Sequence, residues 1–286
     1  MTLLFVLWLQ TQTVLPKGVI LVKGAVPSAS DASTPVPEDG RVAEGRYRNR
    51  YFGLTYEIPA GWTEQPAGPP PSDSGAYVLG EFALADATRV KAHVLITAQD
   101  LFFEPHGAAS AKDVVAAARR MAAPSYDVEP GAETVTIADR AFSRLAYKSR
   151  HTPLRWRIVS TDVRCHALTF TFTGADTAAL DAAEKALGSL ALHDDGPPCV
   201  RDYVHDHLLS KSDPGFPQRY NTIPVRLIID AEGNVKHIHL LSAFPEQSAA
   251  ILASVRTWRF APHVVDGKAT EVETGMVFGL PRPVIP

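Results

Sequence analysis

The sequence holds ten histidines, and two pairs of them sit one residue apart: "HDH", His205 to His207, and "HIH", His237 to His239. Imidazoles so spaced leave one face of a strand together and could give a divalent metal two ligands. Neither pair has a third ligand at a recognisable spacing. In the second pair Ile238 and Leu240 are the expected core-facing residues, which leaves His237 and His239 on a solvated face. Glu271 and Glu273 alternate in the same manner, and charge on a strand near a sheet edge guards against unwanted pairing more often than it makes an acid–base couple. No nucleophile elbow, P-loop, HExxH or dinucleotide fingerprint is present. The chain therefore reads as non-enzymatic, with no metal and no cofactor.

Cys165 and Cys199 form no CxxC, so neither a dithiol redox motif nor a zinc knuckle is indicated. An even count in an exported chain permits one disulfide, and a Cys165–Cys199 bond is expected to pin the boundary between two folded units. In the chain-entropy account it would stabilise by roughly 3 to 4 kcal/mol. Export itself is read from "MTLLFVLWLQTQTV", whose apolar run from Leu3 to Leu9 resembles a short signal-peptide core. Gln10, Gln12, Lys17 and Lys23 break any window long enough to span a bilayer, so no transmembrane span is expected. A formal charge of −3 without a basic run argues against nucleic acid as a partner.

The elements that must position these residues follow from pattern. At 286 residues with 45% hydrophobic side chains the chain suits two modest domains. Residues 1–45 read as an export signal and mobile leader, since Gly24 to Gly45 is rich in Pro, Ser, Ala and acids without apolar periodicity. "YFGLTYEIPAGW", Tyr51 to Trp62, alternates as a strand, and further strands are expected at Ala76 to Ala83, Arg89 to Thr97, Glu133 to Ile137, Phe142 to Ser149, Leu154 to Thr161 and Cys165 to Thr173. Ser110 opens one helix and Asp176 a second. Strands in series with covering helices make an α+β domain over 46–193. "HDDGPPC", His193 to Cys199, marks the boundary, and a second unit occupies 199–281: "IPVRLIIDAEGNVKHIHLL" gives two strands about an Asp230–Asn234 turn, then a helix from about Glu246 to Trp258, then a last strand from Thr270 to Leu280.

The order of the first unit, with "YFGLTYEIPAGW", resembles the PsbP-like family over Tyr47 to Leu192, which implies an antiparallel-sheet α/β/α sandwich and no particular activity. The second unit, with "DPGFP", "VRLIIDAEGNVKHIHLLSAFP", "VRTWRFAP" and "VDGK" in order, resembles the C-terminal domain of the TonB family of energy transducers over Tyr203 to Leu280. That resemblance implies a three-stranded sheet with one or two helices, with Trp258 and Phe260 as core anchors. It departs from the family in carrying a folded domain where a transducer has a membrane helix and Pro-rich spacer, in a short segment before Val225, and in Phe216 where Tyr is commoner.

The TonB resemblance also implies a function. Family members work in the periplasm, where an extended segment of an outer-membrane receptor joins the sheet edge by backbone pairing. The implied edge is the last strand: Glu271, Val272, Glu273, Thr274, Gly275, Met276, Val277 and Phe278, with the Val272 and Thr274 amides taken as outward-facing. The expected protein is thus a periplasmic or secreted protein-interaction module, its partner a protein of the cell envelope, with a link to TonB-dependent transport. A small-ligand carrier using the first unit is the alternative, and a metal-dependent enzyme a distant third.

Overall fold

The computed structural model describes residues 29–30, 35–66, 68–86, 90–216, 219 and 221–279. The expected export signal and the tail "PRPVIP" lie outside them. β1 (Ala29–Ser30) is followed by a three-stranded meander, β2 (Gly40–Ala43), β3 (Arg46–Asn49) and β4 (Leu54–Glu57). The expectation that folding begins after Gly45 is corrected here. Glu44 and Gly45 both adopt positive φ, the conformation of a tight two-residue hairpin turn, and Val42 pairs with Tyr47 across it. The single strand expected over Tyr51 to Trp62 is also shorter, because the Tyr51 and Phe52 amides donate to Asn49 Oδ1 at 3.0 and 3.2 Å and turn the chain before β4.

The larger sheet comprises β5 (Thr63–Glu64), β6 (Ala76–Ala85), β7 (Val90–Asp100), β8 (Tyr126–Val128), β9 (Thr134–Ile137), β10 (Arg140–Ser149), β11 (Arg155–Val163) and β12 (His166–Gly174). Its order is β5-β6-β7-β12-β11-β10-β8, with β9 also on β10, and its pairings are antiparallel. Period-two alternation splits its side chains between two faces. Phe170, Phe172, Val94 and Ile96 pack with the meander's Phe52, Leu54 and Tyr56 and with Leu180 and Ala183 of α2 (Thr177–Lys185). On the other face Leu145 and Ile158 meet Val115 of α1 (Ala111–Ala122). Both helices start as the sequence indicates: the Asp113 amide donates to Ser110 Oγ and the Ala179 amide to Asp176 Oδ1.

Beyond the loop at 193–199 come α3 (Tyr203–His207), β13 (Leu208–Ser210), β14 (Thr222–Ile229), β15 (Val235–Leu240), α4 (Pro245–Val255), β16 (Arg259–Phe260), β17 (His263–Val265), β18 (Lys268–Thr270) and β19 (Val272–Gly279). β19, β14 and β15 form an antiparallel sheet as expected, but β1 adds a fourth strand beside β15, through Ala29 opposite Leu240 and Ser30 opposite His239. The β14–β15 turn is built on Asp230, whose Oδ1 accepts the amides of Glu232 and Asn234, and on Gly233 at φ +85°. Ile223, Val225, Leu227 and Ile229 of β14 pack with Ile251 and Val255 of α4, Trp258, Phe260 and Val272. The chain thus folds as mostly antiparallel sheets with few helices.

Candidate functional site at the junction of the two sheets

Alternation along β14 that sends Val225 and Leu227 to one core sends Arg226 to the opposite face, where it is 3% exposed. A guanidinium without water must find carboxylates, and it does. Arg226 Nη1 donates to Asp100 Oδ2 at 2.6 Å, and its Nε and Nη2 lie 3.2 and 3.0 Å from Glu273 Oε1. Asp100 ends β7 of the larger sheet, and Glu273 lies on β19 beside β14. Arg164, in the turn between β11 and β12, donates from Nη2 to Glu273 Oε2 at 3.2 Å and lies over the Tyr51 ring. Tyr51 Oη donates to Glu273 Oε1 at 2.9 Å, and the Phe102 amide donates to Asp100 Oδ1 at 2.9 Å.

His166 is wholly buried beside this cluster, with its ring edge-on to Tyr51, Phe52 and Tyr77. Its Nδ1–H donates to the Arg164 carbonyl at 2.7 Å, which leaves Nε2 as the unprotonated nitrogen, 3.6 Å from Asp100 Oδ2. Burial, reinforced by the positive charge of Arg226, holds the imidazole pKa well below 6.5, so the ring is neutral. Burial pushes the Asp100 carboxyl up against the opposing pull of Arg226. Burial also works to raise Glu273, but Arg226 and Arg164 together outweigh it and hold that carboxyl below its ordinary value. Burial keeps the Tyr51 hydroxyl protonated, so it serves as a donor. Two guanidiniums thus face two carboxylates, and these groups bond chiefly to one another. Such an arrangement fastens one sheet to the other.

A cavity of about 60 Å³ lies against this cluster, between Arg164, Arg226 and His239 on one side and Ser30 and Pro35 to Pro37 on the other. It has room for a few waters. His239 does not face solvent as the sequence pattern suggested: it is 8% exposed, and its Nε2 lies 3.3 Å from Glu38 Oε2. Alternation told which face of β15 it occupies, but not that residues 35–38 cross that face. His205 is exposed beside Asp206, while His207 stacks on Tyr203 with ring centroids 4.1 Å apart. Among the described residues no group of three or more His, Cys, Asp or Glu is placed to hold a metal ion.

Cys165 and Cys199 are joined by a disulfide, with Cα atoms 5.9 Å apart. Along the last strand Glu271 pairs with Lys236, Val272 and Thr274 are buried, and Met276 and Phe278 pack toward Trp258 and Phe216. A Cβ on Gly275 would press on Phe102 and Phe103, and Val277 is 52% exposed. The amide phase differs from the expectation. The Glu273 amide donates to the Pro198 carbonyl at 2.9 Å and its carbonyl accepts the Val200 amide at 3.0 Å, so both groups of Glu273 point away from β14. Antiparallel alternation then turns Gly275, Val277 and Gly279 outward as well, and Val272, Thr274, Met276 and Phe278 toward β14. Val272 and Thr274 are therefore not outward-facing amides.

Sequence reasoning passed over Asp100, Arg164, His166, Arg226 and Tyr51. The readable sign was Arg226 itself, one charge inside the apolar run "IPVRLII".

No protein-family model matches the chain, and no curated protein matches it. Among solved structures, the solution structure of cyanobacterial PsbP (CyanoP) from Synechocystis sp. PCC 6803 is similar at 14% identity and a TM-score of 0.35, covering 52% of this chain and 91% of that one. A crystal structure from Bacteroides thetaiotaomicron VPI-5482 is similar at 15% identity and a TM-score of 0.32, covering 51% of this chain and 47% of the other. No helix among the described residues is long and apolar enough to cross a membrane.

Proposed function

We propose that this protein is an extracytoplasmic binding protein whose final strand accepts an extended segment of an envelope protein by strand addition. In this reading the larger sheet, its meander and its helices form a PsbP-like domain, the smaller sheet with α4 forms a TonB C-terminal-like domain, and the loop at 193–199 divides them. The observation that carries it is the outer edge of β19. It ends its sheet, and from Gly275 to Gly279 no strand among the described residues pairs with it. Outward amides at Gly275, Val277 and Gly279 and outward carbonyls at Gly275 and Val277 form the row that an added strand requires. The buried Arg226–Asp100–Glu273 cluster supports the reading by holding β19 in place, so that little ordering accompanies binding.

The test is a random decapeptide library displayed against the full chain, followed by backbone amide exchange of the complex. A selected peptide should protect the Val277 and Gly279 amides and leave Thr274, already paired with β14, unchanged. Val277→Pro should abolish that binding, because proline removes the outward donor. Val277→Ala should keep most of it. Selected peptides that protect other surfaces, or a folded Val277→Pro protein that binds as before, would remove the proposal.

A further inference from the structure

The outer edge of β19 already has one short occupant. The segment Pro198 to Val200 runs parallel to β19 with Cys199 opposite Glu273, and both hydrogen bonds of Glu273's outward backbone go to it. Its middle residue is Cys199, bonded to Cys165 in the two-residue turn between β11 and β12. That turn is a fixed post: Arg164 and Cys165 both have positive φ, and the Cys165 carbonyl accepts the Leu101 amide at 2.9 Å. The chain before the segment is the exposed stretch around Asp194 and Asp195, and the chain after it turns at Asp202, which has φ +60°. Two backbone hydrogen bonds and the disulfide hold the segment to the edge, while the Val200 side chain packs against the core that contains Tyr203, Val272 and Trp258, and α3 just after it lies against β19.

We propose that Pro198 to Val200 is an intramolecular cap on the β19 edge, held by the Cys165–Cys199 disulfide and released when a dithiol reduces it. Cys199 is the exposed partner and Cys165 is half-buried, so a reductant thiolate reaches the Cys199 sulfur first. Its attack breaks the bond between the two cysteine sulfurs and leaves a mixed disulfide on Cys199, with Cys165 taking a proton. The reductant's second thiol then displaces Cys199, which is protonated in turn. The cysteines have gained two electrons and two protons, and the dithiol leaves as its own disulfide. With the cap free, the acceptor row grows from Gly275–Gly279 back to Glu273. The strand itself stays in place, because the Glu273 side chain is held separately by Arg226, Arg164 and Tyr51. This inference deepens the binding reading and rests on it for its biological sense, but the cap can be tested without any partner.

The experiment is amide exchange of the full chain with and without dithiothreitol. The Glu273 and Val200 amides should exchange roughly ten-fold faster or more after reduction, as each loses its bond. Thr274, whose amide faces β14, should keep its rate. The Cys165→Ser, Cys199→Ser double variant should show the same pattern without reductant. Val200→Pro, which removes one of the two bonds with the disulfide intact, should expose Glu273 part of the way. Unchanged Glu273 protection after reduction overturns the proposal, and so does loss of Thr274 protection together with Glu273, since the disulfide would then support the whole fold. Failure to select any peptide would instead count against the binding reading, with the cap result standing apart.

Discussion

Replacing Arg226 with alanine removes the one cation among the described residues that touches both buried carboxylates. Glu273 would keep the Arg164 guanidinium at 3.2 Å and the Tyr51 hydroxyl at 2.9 Å. Asp100 is 0% exposed and would keep the Phe102 amide on Oδ1, facing a neutral His166 whose nearer nitrogen carries no proton. An uncompensated buried charge of this kind costs about 3 to 5 kcal/mol. The cost should fall mainly on Asp100. Urea unfolding at neutral pH should therefore show Arg226→Ala destabilised by about that amount, with the midpoint shifted and the slope retained. Adding Asp100→Asn should recover more of the loss than adding Glu273→Gln. A loss below about 1 kcal/mol, the size typical of an exposed pair, would refute the view of the cluster as the fastening between the sheets. A larger recovery by Glu273→Gln would refute the assignment of the cost to Asp100.

Three further outcomes follow from the same structure. His166 is held neutral with a depressed pKa, so its contribution is complete above its ordinary 6.5 and is lost as pH falls toward the folded value. Below 6.5 the stability of the wild type should therefore fall more steeply with pH than that of His166→Phe, by a slope approaching about 1.4 kcal/mol per unit in denaturant titrations. Trp258 is 3% exposed and donates from Nε1 to the Ser212 carbonyl at 2.9 Å, so Trp258→Ala should cost about 3 to 5 kcal/mol by thermal or chemical unfolding. Gly233 has φ +85° and a Cβ there would strike the Phe260 carbonyl, so Gly233→Ala should cost about 1 to 3 kcal/mol by the same measurement.

Local signals in the sequence translated well into local structure. Ser110 and Asp176 cap the helices they were expected to open, Gly233 makes the turn between β14 and β15, and Phe170 and Phe172 share a buried face. The junction did not translate, because its members are single polar residues far apart in the chain. Arg226 lies 126 positions from Asp100, and Tyr51 lies 222 positions from Glu273. Arg226 and Glu273, each taken alone, read as a strand's solvent-facing residue, as His239 did. A single sequence gives the period of a strand and so its two faces, but what covers the second face is a long-range matter. The hairpin at Gly40 to Asn49 escaped for a different reason: β2 is four residues long, too short for alternation to stand out from a leader rich in small and polar residues.

The phase of β19 shows where the pattern of side chains stops being enough. Alternation fixes which side chains share a face, whereas which amides turn outward depends on which cross-strand pairs exchange hydrogen bonds. Pro224 carries the missing information. It has no N–H, and it lies opposite Val277 while its carbonyl accepts the Leu241 amide on the β15 side. The Pro224–Val277 pair is therefore one that exchanges no hydrogen bonds, and Val277 must point its amide away from β14. Glu273, four residues earlier, shares that phase and shows it directly by bonding to Pro198. Reading this from the sequence would have required the register between β14 and β19, which no local motif supplies. The consequence is specific: proline at Val277 lands on an outward amide and tests the edge, whereas proline at Val272 or Thr274 would break the ladder to β14 and report on folding instead.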